Sequence, residues 1–540
     1  MNVSRRTFMK TVGLGAAATG LAGYAQGTPR AAWAQPTGDP AVCKPGGAYT
    51  WFTSQLETCC PGEELKADEM RITFLGTSCV PRLSQQGVSV YVEVGPSHKA
   101  KDGTWVPADY AMFDCGMGVL ANYVAMGIPY SRMDKIFIAH LHADHMSELS
   151  AIYCFGEAND RKSPLYVWGP SASQLVDPVS GEQYTYQDGT KNILEHFREV
   201  WRWHTESFSF GYNSYKDYKA PTQADWNTPC PLEPVVSKYV KYQDPYFYDA
   251  DGNAQFDAYA LVPIELKYDT VGGVAYDNPR TGLRITHFPA IHTRRGAISY
   301  KVEFRPPGSH VPPITMIYSG DTRPNTTMLD QAENIDVLAH ELVMPPDQWA
   351  AHILGVPVSL VPPDVLDDTT TVVNSSHTTE GALGYMLSQW MAAGTLPRLT
   401  AATHFQAQDD TVDLAIQNFA AYGIPRERYT FAADFMVLNV TSDKSAPIRQ
   451  RRANVSHYAF AGQGAVSIPV EDCNIPKYHK DDGTSDPYAQ IENATWIPWS
   501  NYNNNGLTTY KETGYSDSTL TPKIYMPSVK SESGQPASSR

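Results

Sequence analysis

The feature that most constrains this chain is the run His140-Leu141-His142-Ala143-Asp144-His145, fed by the compact apolar stretch Lys135-Ile136-Phe137-Ile138-Ala139. Such a stretch reads as a buried strand, and a strand end is a rigid mount for side chains. In extended backbone His140 and His142 lie on one face and can address one ion, while Asp144 and His145 can turn towards a second. The set offers imidazoles and a carboxylate but no thiolate, which suits zinc, with iron or manganese as alternatives. A lone His-x-His is usually an ordinary loop pair; two further ligands within six residues, behind a strand, make it a metal site. Ester hydrolysis near neutral pH needs a nucleophile stronger than water, and zinc supplies one by lowering the pKa of bound water to about 7.

The rest of the chain alternates strands and helices. Strands are predicted at 70–74, 88–94, 110–114 and 135–139, with a helix over 119–126 that stops at Gly127 before Pro129. A second series places strands at 283–287, 298–304, 314–319, 336–339 and 399–403, the last ending on His404, and helices at 325–332 and 380–393. Two strand-rich halves, each closed by helices, predict two sheets packed face to face and covered on both outer faces. Between them, about 171–280 reads as a long insertion rich in Tyr, Asp, Asn and Pro. Its aromatics, Tyr239, Tyr242, Tyr246, Phe247, Tyr248 and Tyr259, suit a substrate cleft, a structural lid or an oligomer contact. The layout is a leader over 1–34, a lead-in over 35–69, a hydrolase domain over 70–440 and a C-terminal extension over 441–540.

A length of 540 residues exceeds one average domain, so one large catalytic unit with accessory segments is expected. The net charge of −15 repels phosphate backbones, and within 201–280 seven Lys/Arg face eleven Asp/Glu, so long nucleic acid is not an expected partner. Ser4-Arg5-Arg6-Thr7-Phe8-Met9-Lys10, a Gly/Ala-rich stretch over 11–25 and Ala32-Trp33-Ala34 supply, in order, the three parts of a twin-arginine export signal. The expected partner is therefore the twin-arginine machinery. The expected location is the periplasm or beyond, without a stable membrane anchor after processing, because no other run reaches the roughly 18 apolar residues of a span. Of the eight cysteines, Cys115 and Cys154 sit in apolar segments and read as buried thiols, whereas Cys43, Cys59 and Cys60 could form a staple.

The run His140-x-His142-x-Asp144-His145 resembles the signature of the metallo-β-lactamase superfamily, and the resemblance implies an αββα sandwich over roughly 71–434. Later ligands can then be sought one by one. The third-motif histidine matches His292 in Ala290-Ile291-His292-Thr293; its competitor, His287, ends an apolar strand and reads as structural. The bridging carboxylate matches Asp321 in Ser319-Gly320-Asp321-Thr322, and the final histidine matches His404. By resemblance one zinc takes His140, His142 and His292, the other takes Asp144, His145 and His404, and Asp321 joins them together with a hydroxide.

True β-lactamases of the superfamily lack the bridging aspartate. With Arg323-Pro324 behind it, His340-Glu341 after an apolar strand and His377-Thr378-Thr379 opening a helix, the pattern is similar to ribonuclease Z and its arylsulfatase-like and phosphodiesterase relatives. In ribonuclease Z the matching histidine lies near the leaving group, so the resemblance makes His377 the general acid, with Glu341 or Asp144 helping to place protons; the alternative is a bystander beside a helix cap. The chain lacks a basic arm for tRNA. The resulting expectation is an exported hydrolase of small anionic esters, of phosphodiesterase or arylsulfatase type, in which the metal-bridging hydroxide attacks and His377 protonates the departing group. At most one of Arg294 and Arg295 is expected to hold an anionic substrate, because consecutive residues can point opposite ways, one to solvent. A lactonase or thioesterase, and a non-catalytic metal-stabilised binding protein, are the alternatives.

Overall fold

The computed structural model describes residues 55–100, 103–159, 161, 163–176, 187–201, 204, 261–405 and 409–455. The stretch over 1–34 expected to be an export signal, Cys43, the tyrosines between 239 and 259 and the expected extension beyond 455 lie outside the described residues.

Two sheets form the body. The first has nine strands in the order Glu57–Cys59, Arg449–Ala453, Met436–Thr441, Glu69–Gly76, Ser89–Val94, Asp109–Phe113, Lys135–Phe137, Leu165–Pro170 and Leu261–Leu266. The second has seven, in the order Gly273–Asn278, Leu283–Pro289, Ile298–Phe304, Ile314–Tyr318, Val337–Glu341, Leu399–Thr403 and Tyr429–Phe431. From Asp109–Phe113 onward the first sheet is parallel, and from Ile314–Tyr318 onward so is the second. Parallel strands in an α/β sheet present their carboxyl ends on one edge, where ligands bind. The run His140 to His145 follows one of these ends and Asp321 and His404 follow two others.

Alternation within the strands turns Val90, Val92, Phe113, Phe137 and Trp168 of one sheet against Ile285, Tyr300, Val302, Met316 and Tyr318 of the other, all in the interior. Phe137 stacks on Trp168 with ring centroids 4.4 Å apart and meets Tyr300 edge-on at 5.7 Å. Burial of each such side chain stabilises the fold by roughly 1.5–3 kcal/mol. The outer face of the first sheet is covered by Val119–Ala125 and Leu149–Ala158, through Val119, Tyr123, Leu149, Ile152 and Tyr153. The outer face of the second is covered by Thr326–Gln331, Glu380–Ala393 and Asp409–Ala421, through Met328, Leu383, Trp390, Val412 and Phe419. The chain is thus a mixed α/β sandwich with helices on both outer faces.

The structure departs from the sequence reading at two boundaries. The stretch 171–280 contains Leu261–Leu266 and Gly273–Asn278, two strands the sequence reading did not place, which are outermost in the two sheets. Pro263 and the polar tail of Gly273–Asn278 hide them in sequence, and edge strands tolerate such residues. At the other boundary, Arg449–Ala453 pairs with Met436–Thr441, so the first sheet runs past residue 440. Among the described cysteines, Cys59, Cys60, Cys79, Cys115 and Cys154 are free, with Cys115 and Cys154 buried. No described helix is long and apolar enough to cross a membrane.

Candidate functional site

The strand Lys135–Phe137 leads through Ile138 into a bend at Ala139 and His140, after which Ala143–Met146 makes one helical turn begun by His142. That turn swings Asp144 and His145 away from the two residues before them. Opposite, Ser319-Gly320-Asp321 leaves the strand Ile314–Tyr318. Gly320 has φ 56°, and a Cβ there would lie 2.4 Å from the Cβ of Ala139. Only glycine lets the two ligand-bearing backbones pass this closely. His404 leaves Leu399–Thr403 with φ 57°, a left-handed conformation that costs an L-residue about 1–3 kcal/mol and is held by its surroundings.

The predicted ligands converge into two groups, His140, His142 and His292 in one, and Asp144, His145, Asp321 and His404 in the other. In the first, His142 Nδ1 lies 3.0 Å from His140 Nε2 and 3.1 Å from His292 Nε2. In the second, His404 Nε2 lies 3.3 Å and His145 Nε2 3.6 Å from Asp144 Oδ2. The Asp321 carboxylate is shared. Its Oδ2 lies 3.9 Å from His140 Nε2 and 3.8 Å from His292 Nε2, and its Oδ1 lies 3.2 Å from His145 Nε2 and 3.4 Å from His404 Nε2. Ligands about 2.0–2.2 Å from a tetrahedral ion stand about 3.3–3.5 Å apart, so both groups have the dimensions of a divalent-ion cage. His145 Nε2 and Asp321 Oδ1 are buried without a conventional hydrogen-bond partner, which an ion would satisfy. His287 takes no part, its Nε2 bonding Lys267 O at 3.0 Å. Buried His340 also stands outside both groups, with Nδ1 on Glu341 O at 2.8 Å.

Surrounding groups fix which ring nitrogens face the cage. His145 Nδ1 donates to Asp114 Oδ2 at 2.6 Å and His292 Nδ1 donates to Ser376 O at 2.9 Å, leaving each Nε2 lone pair for an ion. Asp114, with φ 55°, also accepts Tyr318 Oη–H at 2.6 Å and Ala139 N–H at 2.7 Å, so one carboxylate ties the His140 loop, His145 and the second sheet together. No motif in the sequence singles it out; the only sign is an acidic residue directly after a buried strand.

Charge separates the two groups. Burial, helped by neighbouring imidazoles, holds His140 well below its ordinary value, lowers His142 and takes His292 down to about 4, so these are neutral donors. In the second group burial opposes every charge but is outweighed. The carboxylates of Asp321, Asp114 and Asp144 hold His145 well above its ordinary value, His145 and His404 draw Asp144 down to about 2, and the same pair holds Asp321 well below the usual carboxylate range.

Glu341 and His377 stand beside this centre. His377 Nδ1 lies 2.8 Å from Glu341 Oε2 and 3.9 Å from Asp321 Oδ2, and Glu341 Oε1 accepts the N–H of Thr322. Burial pulls His377 down, but Glu341 more than offsets it by charge and hydrogen bond, and Asp321 and Asp144 add to this, so His377 is pushed up to about 9. Burial raises Glu341 too, against the pull of His377. Trp349, from the helix Pro346–Leu354, meets the His377 ring edge-on at 6.1 Å and had no signal in the sequence. Of the two arginines, Arg294 pairs with Asp188, while both line a cavity of about 420 Å³ beside the three histidines.

Fold and ligand arrangement together define a metal-dependent hydrolase built on the metallo-β-lactamase fold. The family model described as Anti-Pycsar protein Apyc1 matches residues 107–251, a stretch that includes the whole run from His140 to His145. The chain is similar to a ribonuclease Z of Natronomonas pharaonis, at 25% identity over 289 residues, 52% of this chain and 76% of that protein. It is also similar to a ribonuclease BN of Enterobacter sp. (strain 638), at 32% identity over 103 residues, which spans 31% of that protein and 19% of this chain. Among solved structures, the metallo-β-lactamase fold protein YhfI from Bacillus subtilis aligns with a TM-score of 0.38 and 15% identity, over 69% of this chain and 100% of that one. The long form RNase Z from yeast aligns with a TM-score of 0.38 and 18% identity, over 70% and 42%.

Proposed function

We propose that this protein is an exported, zinc-dependent hydrolase of small ester substrates, of phosphodiesterase or arylsulfatase type. The observation that carries the reading is the division of the Asp321 carboxylate, one oxygen towards each ligand group. Two divalent ions held there would polarise an ester and furnish a strong water-derived nucleophile. Asp321 sets the spacing of the two groups. Asp114 and Ser376 O orient the imidazoles of His145 and His292. His377, cationic with Nδ1 on Glu341, keeps Nε2–H for the departing oxygen, and Glu341 holds that ring in place. Asp144, kept ionised at the edge of the second group, is the other residue positioned to steer a proton. Arg5-Arg6 with the Ala/Gly-rich stretch behind them supports export, and the net charge of −15 supports a small substrate over long nucleic acid.

The test is a substrate panel run with metal analysis on the purified mature chain, comprising an aryl phosphodiester, an aryl sulfate, a lactone, a thioester and a β-lactam. Dominant turnover of the phosphodiester or sulfate, with two zinc ions per chain, is the expected result. Preference for the lactone or thioester would overturn it in favour of a carbonyl-ester hydrolase. Two bound ions with no turnover of any compound would leave a metal-stabilised binding protein.

A further inference from the structure

We propose that Arg295 selects phosphodiesters carrying a second anionic group on the arm that the reaction retains, and that Arg294, its neighbour, plays no part in that choice. The inference rests on the phosphodiesterase reading and narrows its substrate class.

The cavity beside the histidines, about 420 Å³, falls within the roughly 300–1,000 Å³ of small-molecule pockets. It is lined by His140, His142 and His292, by the segment after Leu165–Pro170, by the start of the helix Thr190–Val200 and by the loop after His292. Asp144, His145, His404, Glu341 and His377 do not line it. A substrate whose ester lies across the two ligand groups can place one arm in this cavity, and because His377 does not line it, the arm that meets His377 and Trp349 is the other. Since His377 serves the departing oxygen, the arm in the cavity is the retained one.

The two arginines differ in what they touch. The Nη2 of Arg294 donates to Asp188 Oδ2 and, at 3.2 Å, to Ser173 Oγ, while Asp188 accepts Ser173 N–H at 2.8 Å and Ser173 Oγ–H at 2.7 Å. Arg294 is thus a neutralised clasp between the loop after His292 and the opposite wall. Arg295 is exposed on the cavity and has no ion-pair partner among the described residues. Its planar fork fits phosphate, sulfate or carboxylate with two hydrogen bonds. Asn192 also lines the cavity with an amide that has no partner among the described residues, a donor and acceptor suited to a sugar or base. A free cation and a free amide together fit a nucleotide-type arm bearing its own phosphate.

Thymidine 5′-(4-nitrophenyl phosphate) and its 3′-phosphorylated counterpart differ only in that second anion. The metal-loaded full chain is expected to favour the 3′-phosphorylated diester by about 10–100-fold in kcat/KM, carried by KM, the usual weight of one charge-assisted contact. Arg295→Gln should abolish the preference, Arg295→Lys should restore part of it, and Arg294→Gln should keep it. Preference that survives in Arg295→Gln, or an equal loss on both diesters, would overturn the proposal, the latter by placing Arg295 at the scissile group. A second readout needs no turnover. Calorimetry should show thymidine 3′,5′-bisphosphate binding more tightly than thymidine 5′-phosphate, and Arg295→Gln should erase the difference. If neither diester is cleaved but the binding difference depends on Arg295, the phosphodiesterase reading falls and the anion site stands. If both are cleaved and Arg295→Gln alters neither readout, the anion site falls alone.

Discussion

The two halves of the candidate metal site are built in opposite ways. From the nine-stranded sheet, His140, His142, Asp144 and His145 arrive on six consecutive residues behind one strand. From the seven-stranded sheet, His292, Asp321, Glu341 and His404 arrive from four separate strand ends, and His377 from the end of the helix Pro363–Ser376. Ligands that share a loop need only that loop to be in place. Ligands spread over several strands are in place only when every strand is in register, so the second half ties chemistry to the integrity of the whole sheet.

The sharpest break of this comparison is Asp321→Ala, which touches both ligand groups from the scattered half. It should reduce turnover by more than about 10³-fold, the loss of several kcal/mol of charge stabilisation, and metal analysis should find less bound ion than in His145→Ala, which removes one ligand of one group. Equal metal loss in the two variants would mean that the contiguous run depends on the scattered half after all. His377→Ala should keep both ions and lose about 10²–10⁴-fold in turnover, with a smaller loss for a nitrophenyl leaving group than for an alkyl one. The same loss for both leaving groups would remove the acid role.

Asp114→Asn tests whether the contiguous run is as self-sufficient as its sequence suggests. Because Asp114 holds His145, Ala139 and Tyr318, metal affinity should fall by about 10–100-fold, measured by competition with a chelator. An unchanged affinity would show that the loop needs no partner from elsewhere. The smallest effect belongs to Glu380, at the start of the helix after His377, buried with neither carboxylate oxygen bonded to another residue. Burial, with Asp347 adding, pushes it from 4.5 up to about 7. A carboxyl raised on folding contributes stability that is full below about pH 4.5 and is lost as pH rises through about 7. Glu380→Gln should therefore raise stability at pH 8 by of order 1–3 kcal/mol and change it little at pH 4.5. Thermal denaturation at the two pH values decides this, and equal effects at both would exclude a buried charge as the cause.

Legibility in the sequence follows the same division. The run from His140 to His145 could be read directly because its chemistry is contiguous, and the strands behind the other ligands alternate cleanly enough to be found. The pairing of those ligands needed a resemblance, since nothing local connects Asp321 to His404. Asp114 was missed because a single carboxylate after a strand has no signature of its own. Pro263 disguised one edge strand. Pro345-Pro346 and Pro362-Pro363 look like breaks in the chain but sit at the starts of the helices Pro346–Leu354 and Pro363–Ser376, where the missing N–H costs nothing.

One pairing at the rim of the first sheet bears on the order of events during synthesis. Glu57–Cys59 lies parallel to Arg449–Ala453, with Glu57 opposite Arg451 and Cys59 opposite Ala453. The early strand leaves the ribosome long before its partner exists and stays unpaired until nearly all of the sandwich has been made. Its docking is a completion step, reached only by a chain translated through residue 453.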